Sequence, residues 1–131
     1  MPDATSLRIL IVDDAAVECD VFAHIARNLG HTIVGTAADL ATATQLAAAL
    51  VPEIIVLDGR FPPGGPLGAL APLRAAAPYA AIAIIAAPGE LDLIRTARAA
   101  GAAGAFRRPL LPAQVAVTLH ELATLRGRGG S

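Results

Sequence analysis

The rhythm of the apolar runs constrains this chain most. Short stretches that read as strands lie at residues 7–12, 32–36, 54–57, 82–86 and 104–107, and a segment of helical character follows each one. Near-continuous apolar strands with helices between them are what a parallel sheet covered on both faces requires. The first helix is read from Val17, Val21, Ile25 and Leu29, spaced by four and stopped by Gly30. The second has Asp39 as its N-cap, a stripe of Leu40, Ala43, Ala47 and Leu50, and Pro52 as its end. A third, over 67–77, contains Pro72, which removes a hydrogen bond and is expected to kink it. The fourth spans about 91–100, and the fifth starts near Pro112 and buries Val115, Leu119 and Leu122. The expectation is a doubly wound α/β fold in one domain, residues 1–126, with 127–131 as a flexible tail.

Composition narrows the function classes. Ten Lys and Arg against 11 Asp and Glu give a net charge of −1, so no basic field is available for nucleic acid or anionic lipid. The most apolar window, 80–87, is far short of the roughly 20 residues of a bilayer span, and the N-terminus lacks the build of a signal peptide. A single cysteine, Cys19, cannot close an intramolecular disulfide, and no basic neighbour marks it as a nucleophile. These features point to the cytoplasm, with neither a nucleic acid nor a membrane as partner. His24, His31 and His120 show no ligand spacing and are read as surface or helix-end residues.

In an open parallel sheet, ligands gather outside the carboxyl ends of the strands. Asp13 and Asp14 end the first strand, Asp58 the third, Ala86 the fourth, and Arg107, Arg108 and Pro109 follow the fifth. Three carboxylates brought to one edge repel one another and call for a cation; an oxygen set of this kind suits Mg²⁺. A phosphate bound there would meet a cationic side chain from the fifth strand. Read singly, the Asp13–Asp14 pair could cap the next helix and Asp58 could form a turn before Gly59. Neither reading explains why the acids and Arg108 fall at matching strand ends.

Taken in order, ILIVDD, VLDGRFP and GAAGAFRRP resemble the receiver domain of two-component response regulators, over about residues 7–126. The resemblance implies a flavodoxin-like (βα)5 fold with sheet order 2-1-3-4-5, and a phosphoryl group donated by a phosphohistidine on a histidine kinase or histidine phosphotransfer protein. It makes Asp58 the phosphoacceptor, Asp14 a direct Mg²⁺ ligand, Asp13 a ligand through water, and the backbone carbonyl of Arg60 a further metal contact. Pro62 matches the family's loop proline, and Arg108 stands where the family carries a lysine that contacts the phosphoryl group. The bond to Pro109 is often cis at this place in relatives. A downstream protein target is implied, and a homodimer is compatible with the family.

The departures are as informative. Where the family has a Thr or Ser at the end of the fourth strand, this chain has Ala86, which carries no donor. Where it has a switching aromatic, this chain has Ala105, with Phe106 one step later on the opposite face. Arg108 keeps the lysine's charge but not its geometry. The side chains of Arg60 and Arg108 are therefore expected to share the phosphoryl oxygens between them. The leading reading is a single-domain, phosphorylatable switch or relay element; the alternative is a pseudo-receiver that binds partners without using phosphorylation. An enzyme is not expected: aspartate-nucleophile phosphatases resemble a D-x-D pattern, and Arg60 occupies the second acid's place. A dinucleotide fold is disfavoured because the first turn reads DDAAVE rather than G-x-G-x-x-G.

Overall fold

A computed structural model describes residues 6–61 and 65–129. Along the chain lie β1 (Arg8–Val12), α1 (Ala16–Asn28), β2 (Thr32–Ala37), α2 (Leu40–Leu50), β3 (Ile54–Asp58), α3 (Pro66–Ala76), β4 (Ala81–Ala86), α4 (Leu91–Ala99), β5 (Gly104–Arg107) and α5 (Pro112–Gly129). The strands form one sheet in the order β2-β1-β3-β4-β5, every neighbouring pair parallel. The expected fold class and strand order are both present.

Strand periodicity divides the core into two layers. Leu10, Val12, Ile55, Leu57, Ile82 and Ile84 face α2, α3 and α4, whereas Ile9, Ile11, Ile54, Val56, Ala83 and Ile85 face α1 and α5. β3 and β4 are buried along their whole length, which accounts for their unbroken apolar sequence. On β5, Ala105 packs against the α2–α4 layer and Phe106 against the other. The Phe106 ring meets Phe22 of α1 edge to face, with centroids 5.1 Å apart.

The helix ends follow local chemistry. Asp39 caps α2, accepting from the Thr42 amide at 2.7 Å and from the Thr42 hydroxyl at 3.0 Å. Gly30, with φ of 94°, follows the end of α1 as expected. α3 runs through Pro72 and begins with Pro66 in its first turn. The carbonyl left without a donor by Pro72 belongs to Gly68, an exposed residue that water can reach. α5 continues to Gly129, into the segment expected to be a tail, while residues 130 and 131 lie outside the described residues.

α2 ends less comfortably than α1. Its C-cap, Val51, adopts a left-handed conformation with φ of 50°, where a β-branched side chain crowds its own backbone. Val51 is largely exposed, so little packing offsets this strain. Val51→Gly is expected to raise the unfolding free energy by about 1 kcal/mol, read from the denaturant midpoint at unchanged slope. A midpoint that falls would show that the Val51 side chain contributes more by packing than its backbone loses.

Candidate functional site

At the carboxyl edge of the sheet, the turns after β1 and β3 bring the acids together. After β1, the Asp13 amide donates to the Ala37 carbonyl at 2.9 Å, keeping the residue in line with the sheet. Asp13 Oδ1 accepts from the Ala15 amide at 2.8 Å, which turns the chain into α1. The capping reading of the acid pair is not met: this oxygen serves the turn that precedes the helix, and the N-cap of α1 is Ala15, with no side-chain cap bond. Asp13 Oδ2 is buried and has no hydrogen-bond partner among the described residues.

Asp58 leaves β3 by a tight turn. The Gly59 amide donates to the Ile85 carbonyl at 2.8 Å, and a Cβ at Gly59 would collide with that oxygen, so the turn requires glycine. Asp58 Oδ1 accepts from the Arg60 amide at 3.0 Å, and Phe61 is buried in the α2–α4 layer. The loop is pinned on both sides, leaving Asp58 only 3% exposed. Pro62, the expected loop proline, lies outside the described residues.

One carboxylate oxygen from each of Asp13, Asp14 and Asp58 lies within 4.8 Å of the others, Asp13 and Asp58 buried and Asp14 exposed. Three acids this close, one with an orphaned buried oxygen, fit a divalent cation with oxygen preference. The electrostatics agree. Burial, the neighbouring Glu18 carboxyl and the Asp58 charge push the Asp13 carboxyl up to about 8, against only the Ala15 hydrogen bond.

Opposite the acids stands Arg108. Its amide donates to the Ala86 carbonyl at 2.9 Å, and the bond to Pro109 is cis. Its guanidinium reaches Asp58 Oδ1 through Nη2 at 2.8 Å. The same group also grips Glu18, Nε to Oε2 at 2.6 Å and Nη2 to Oε1 at 2.7 Å. Burial pushes the Glu18 carboxyl up, but the hydrogen bonds from Arg108 and the neighbouring Asp13 carboxyl outweigh it and hold it below its ordinary value. Arg108 is held charged above its ordinary value, chiefly by Glu18 and also by Asp58, against the effect of burial.

Glu18 escaped the sequence reading. Its signal was present in DDAAVE, an acid in the first turn of a helix that begins at the same sheet edge. What was not legible is that Arg108, 90 residues away, comes to rest on it. Arg60 gives its amide to Asp58, while its exposed side chain lines a 370 Å³ groove with Glu18, Val17, Val21, Arg108 and Leu110. Ala86 is fully buried at the end of β4 and presents only a methyl group. Ala105 is half-buried, with its aromatic neighbour Phe106 turned to the far layer. The histidines stay outside the site: His31 accepts from the Leu7 amide, and His24 pairs with Asn28. Cys19 is buried, its thiol pushed up to about 11 chiefly by burial.

A proton on Asp13 and a cation at the cluster compete for the same carboxylate. With a folded-state value of about 8 against 3.8 when unfolded, Asp13 holds its proton longer in the folded chain. Stability of the metal-free protein therefore falls as pH rises toward and through 8. Between pH 7 and 8.5, where an ordinary histidine is mostly neutral, the melting temperature is expected to fall, and added Mg²⁺ to raise it more at the upper end. Asp13→Asn should flatten both trends; a wild-type melting temperature that rises over this window contradicts the assignment.

Comparison with known proteins bears on these features. The sequence profile of the response regulator receiver domain matches residues 9–120. The transcriptional regulatory protein PdtaR of Mycobacterium tuberculosis is 31% identical, over 95% of this chain and 63% of that protein. The chemotaxis protein CheY of Thermotoga maritima is 28% identical, over 88% of this chain and 96% of that one. Among solved structures, NtrX from Brucella abortus superposes with a TM-score of 0.85 at 21% identity, over 95% of this chain and 28% of that one. A receiver domain protein from Clostridium thermocellum gives 0.82 at 17% identity, over 92% and 97%. No helix among the described residues is long and apolar enough to cross a membrane.

Proposed function

Because this chain belongs to the response regulator receiver domain family, we propose that it takes a phosphoryl group onto Asp58 from a phosphohistidine of a histidine kinase or phosphotransfer protein. The observation that carries this reading is the buried Asp58 carboxylate, set between two other acids and an arginine. Its Oδ1 is occupied by the Arg60 amide and Arg108, whereas Oδ2 carries no hydrogen bond among the described residues. Oδ2 is the oxygen we assign as nucleophile: it forms the new bond to phosphorus as the bond to the imidazole nitrogen breaks, and that nitrogen leaves with the electron pair. Asp13, Asp14, Asp58 and the Arg60 carbonyl are the groups that would hold Mg²⁺, which when bound supplies positive charge against the acids and the phosphoryl oxygens.

Arg108 serves this reaction by keeping a charge-assisted donor on Asp58, and Arg60 stands at the rim of the same groove, where its guanidinium can turn inward. The family is one of signalling proteins rather than classical enzymes, and the output we assign is a change in binding to a downstream protein. The chain spans 63% of the length of the PdtaR protein it matches. A second reading, a phosphorylation-independent interaction module, is favoured by Ala86, whose buried methyl offers no hydroxyl to an acyl phosphate.

Incubation with Mg²⁺ and a small acyl-phosphate donor, followed by intact-mass measurement, separates the two readings. Wild type is expected to gain one phosphoryl group and Asp58→Asn none; labelling of Asp58→Asn at the wild-type rate would move the acceptor elsewhere. Titration calorimetry should find Mg²⁺ binding weakened more by Asp14→Ala than by Asp13→Ala. Arg60→Ala and Arg108→Ala should each slow labelling several-fold, since hydrogen bonds to charged groups are worth about 1.5–3 kcal/mol. An unimpaired Arg60→Ala beside an impaired Arg108→Ala would leave Arg108 acting alone.

A further inference from the structure

Arginine in place of lysine beside Asp58 creates a mechanical problem. A lysine ammonium is a compact charge that presents donors in any orientation, whereas a guanidinium is a flat fork that must be set at the right angle. The donor arrangement around Arg108 shows how the angle is set. Nε and one face of Nη2 are taken by Glu18 at 2.6 and 2.7 Å, and Nη2 is shared with Asp58 Oδ1 at 2.8 Å. Nη1 leans on the Ile85 carbonyl at 3.4 Å and keeps a hydrogen without a partner among the described residues. The Glu18 and Arg108 side chains are each 17% exposed, so the pair is held largely out of water.

We propose that Glu18 is a positioning residue for phosphoryl transfer to Asp58: it clamps the Arg108 guanidinium from α1 so that Nη2 stays on Asp58 and Nη1 is turned toward an incoming phosphoryl oxygen. The role rests on Asp58 being the acceptor. Bidentate pairing of guanidinium with carboxylate fixes both distance and plane, and fixed donors need no reorganisation as charge develops. Glu18 touches neither the acceptor oxygen nor a reacting atom; it acts on Asp58 through Arg108, and its carboxyl also neighbours Asp13. Its carboxylate also offsets part of the charge of the arginine it holds, leaving less positive charge for the three acids.

The test is a double-mutant cycle on labelling rate at saturating Mg²⁺, using a small acyl-phosphate donor and the full chain. Glu18→Leu removes both acceptors and is expected to slow labelling about tenfold, with Glu18→Gln, which keeps one acceptor, in between. In an Arg108→Lys background, where no fork needs holding, Glu18→Leu should change the rate less than about twofold. A second readout does not depend on labelling: the Arg108 Nε proton should be protected from solvent exchange in wild type and lose that protection in Glu18→Leu. A Glu18→Leu protein that labels at the wild-type rate, an equal loss in both backgrounds, or an unchanged Nε proton overturns the role. If wild type takes up no phosphoryl group, the acceptor reading falls and this role falls with it; a labelled wild type with an indifferent Glu18→Leu overturns this role alone.

Discussion

Strand β3 is buried over its whole length between β1 and β4, and Asp58 is the residue at which its backbone leaves the sheet. A carboxylate there is held out of water on the sheet side, and its energy depends on whatever charge the neighbouring strand ends supply. β1 supplies more negative charge and β5 supplies an arginine. The parallel arrangement makes this possible, because only parallel strands put all their carboxyl ends on one edge. Gly59 and Phe61 then hold the loop so that the acid cannot swing away. The local strain of the cluster is thus a product of the sheet, and a bound cation is the natural means of relieving it.

The positive side of the site is differently built. Arg108 bridges two carboxylates with one guanidinium, which satisfies Glu18 fully and Asp58 in part. Nearly isolated in a dry cleft, a lone arginine would be as costly as a lone acid. Glu18 removes that cost before any ligand arrives, at the expense of leaving Asp13, Asp14 and Asp58 with less compensation than their number requires. The Asp13 carboxyl, raised chiefly by burial and further by its Glu18 and Asp58 neighbours, is where a shortage of positive charge adds to the cost.

Most of the fold was legible because parallel α/β units announce themselves through unbroken apolar strands; the structure differs inside the helices, where α3 runs through Pro72 and α1 buries Phe22, Ile25 and Ala26 while Val17, Val21 and Leu29 of the expected stripe stay exposed. The acids and Arg108 were legible for a similar reason: each follows directly on a strand end, so the sheet order is enough to bring them together. Glu18 was not, because a helical residue's reach depends on which face of α1 turns to the β5 loop. That face is fixed by Phe22, Ile25 and Ala26 packing on the sheet, a tertiary fact that spacing alone leaves open. The structure also corroborates the placement of Ala105 and Phe106 on opposite faces of β5, which strand alternation dictates.

These contacts limit how a change at Asp58 is felt elsewhere. A ligand state can shift a conformational equilibrium only through contacts that differ between states. From Asp58 the side-chain hydrogen bonds run to Arg108 on the segment after β5 and onward to Glu18 on α1, and among the described residues none runs to α4. Ala86 offers the site a methyl group, and the Glu90 carboxylate at the start of α4 is engaged with the Ala87 amide instead. Ala105 has no ring whose rotation could record an event next door, and the ring that β5 does carry is locked against Phe22 in the opposite layer. The polar connections of Asp58 thus lead first to the Arg108 guanidinium and through it to Glu18 on α1, so any charge added at Asp58 would meet the guanidinium before any group on α4.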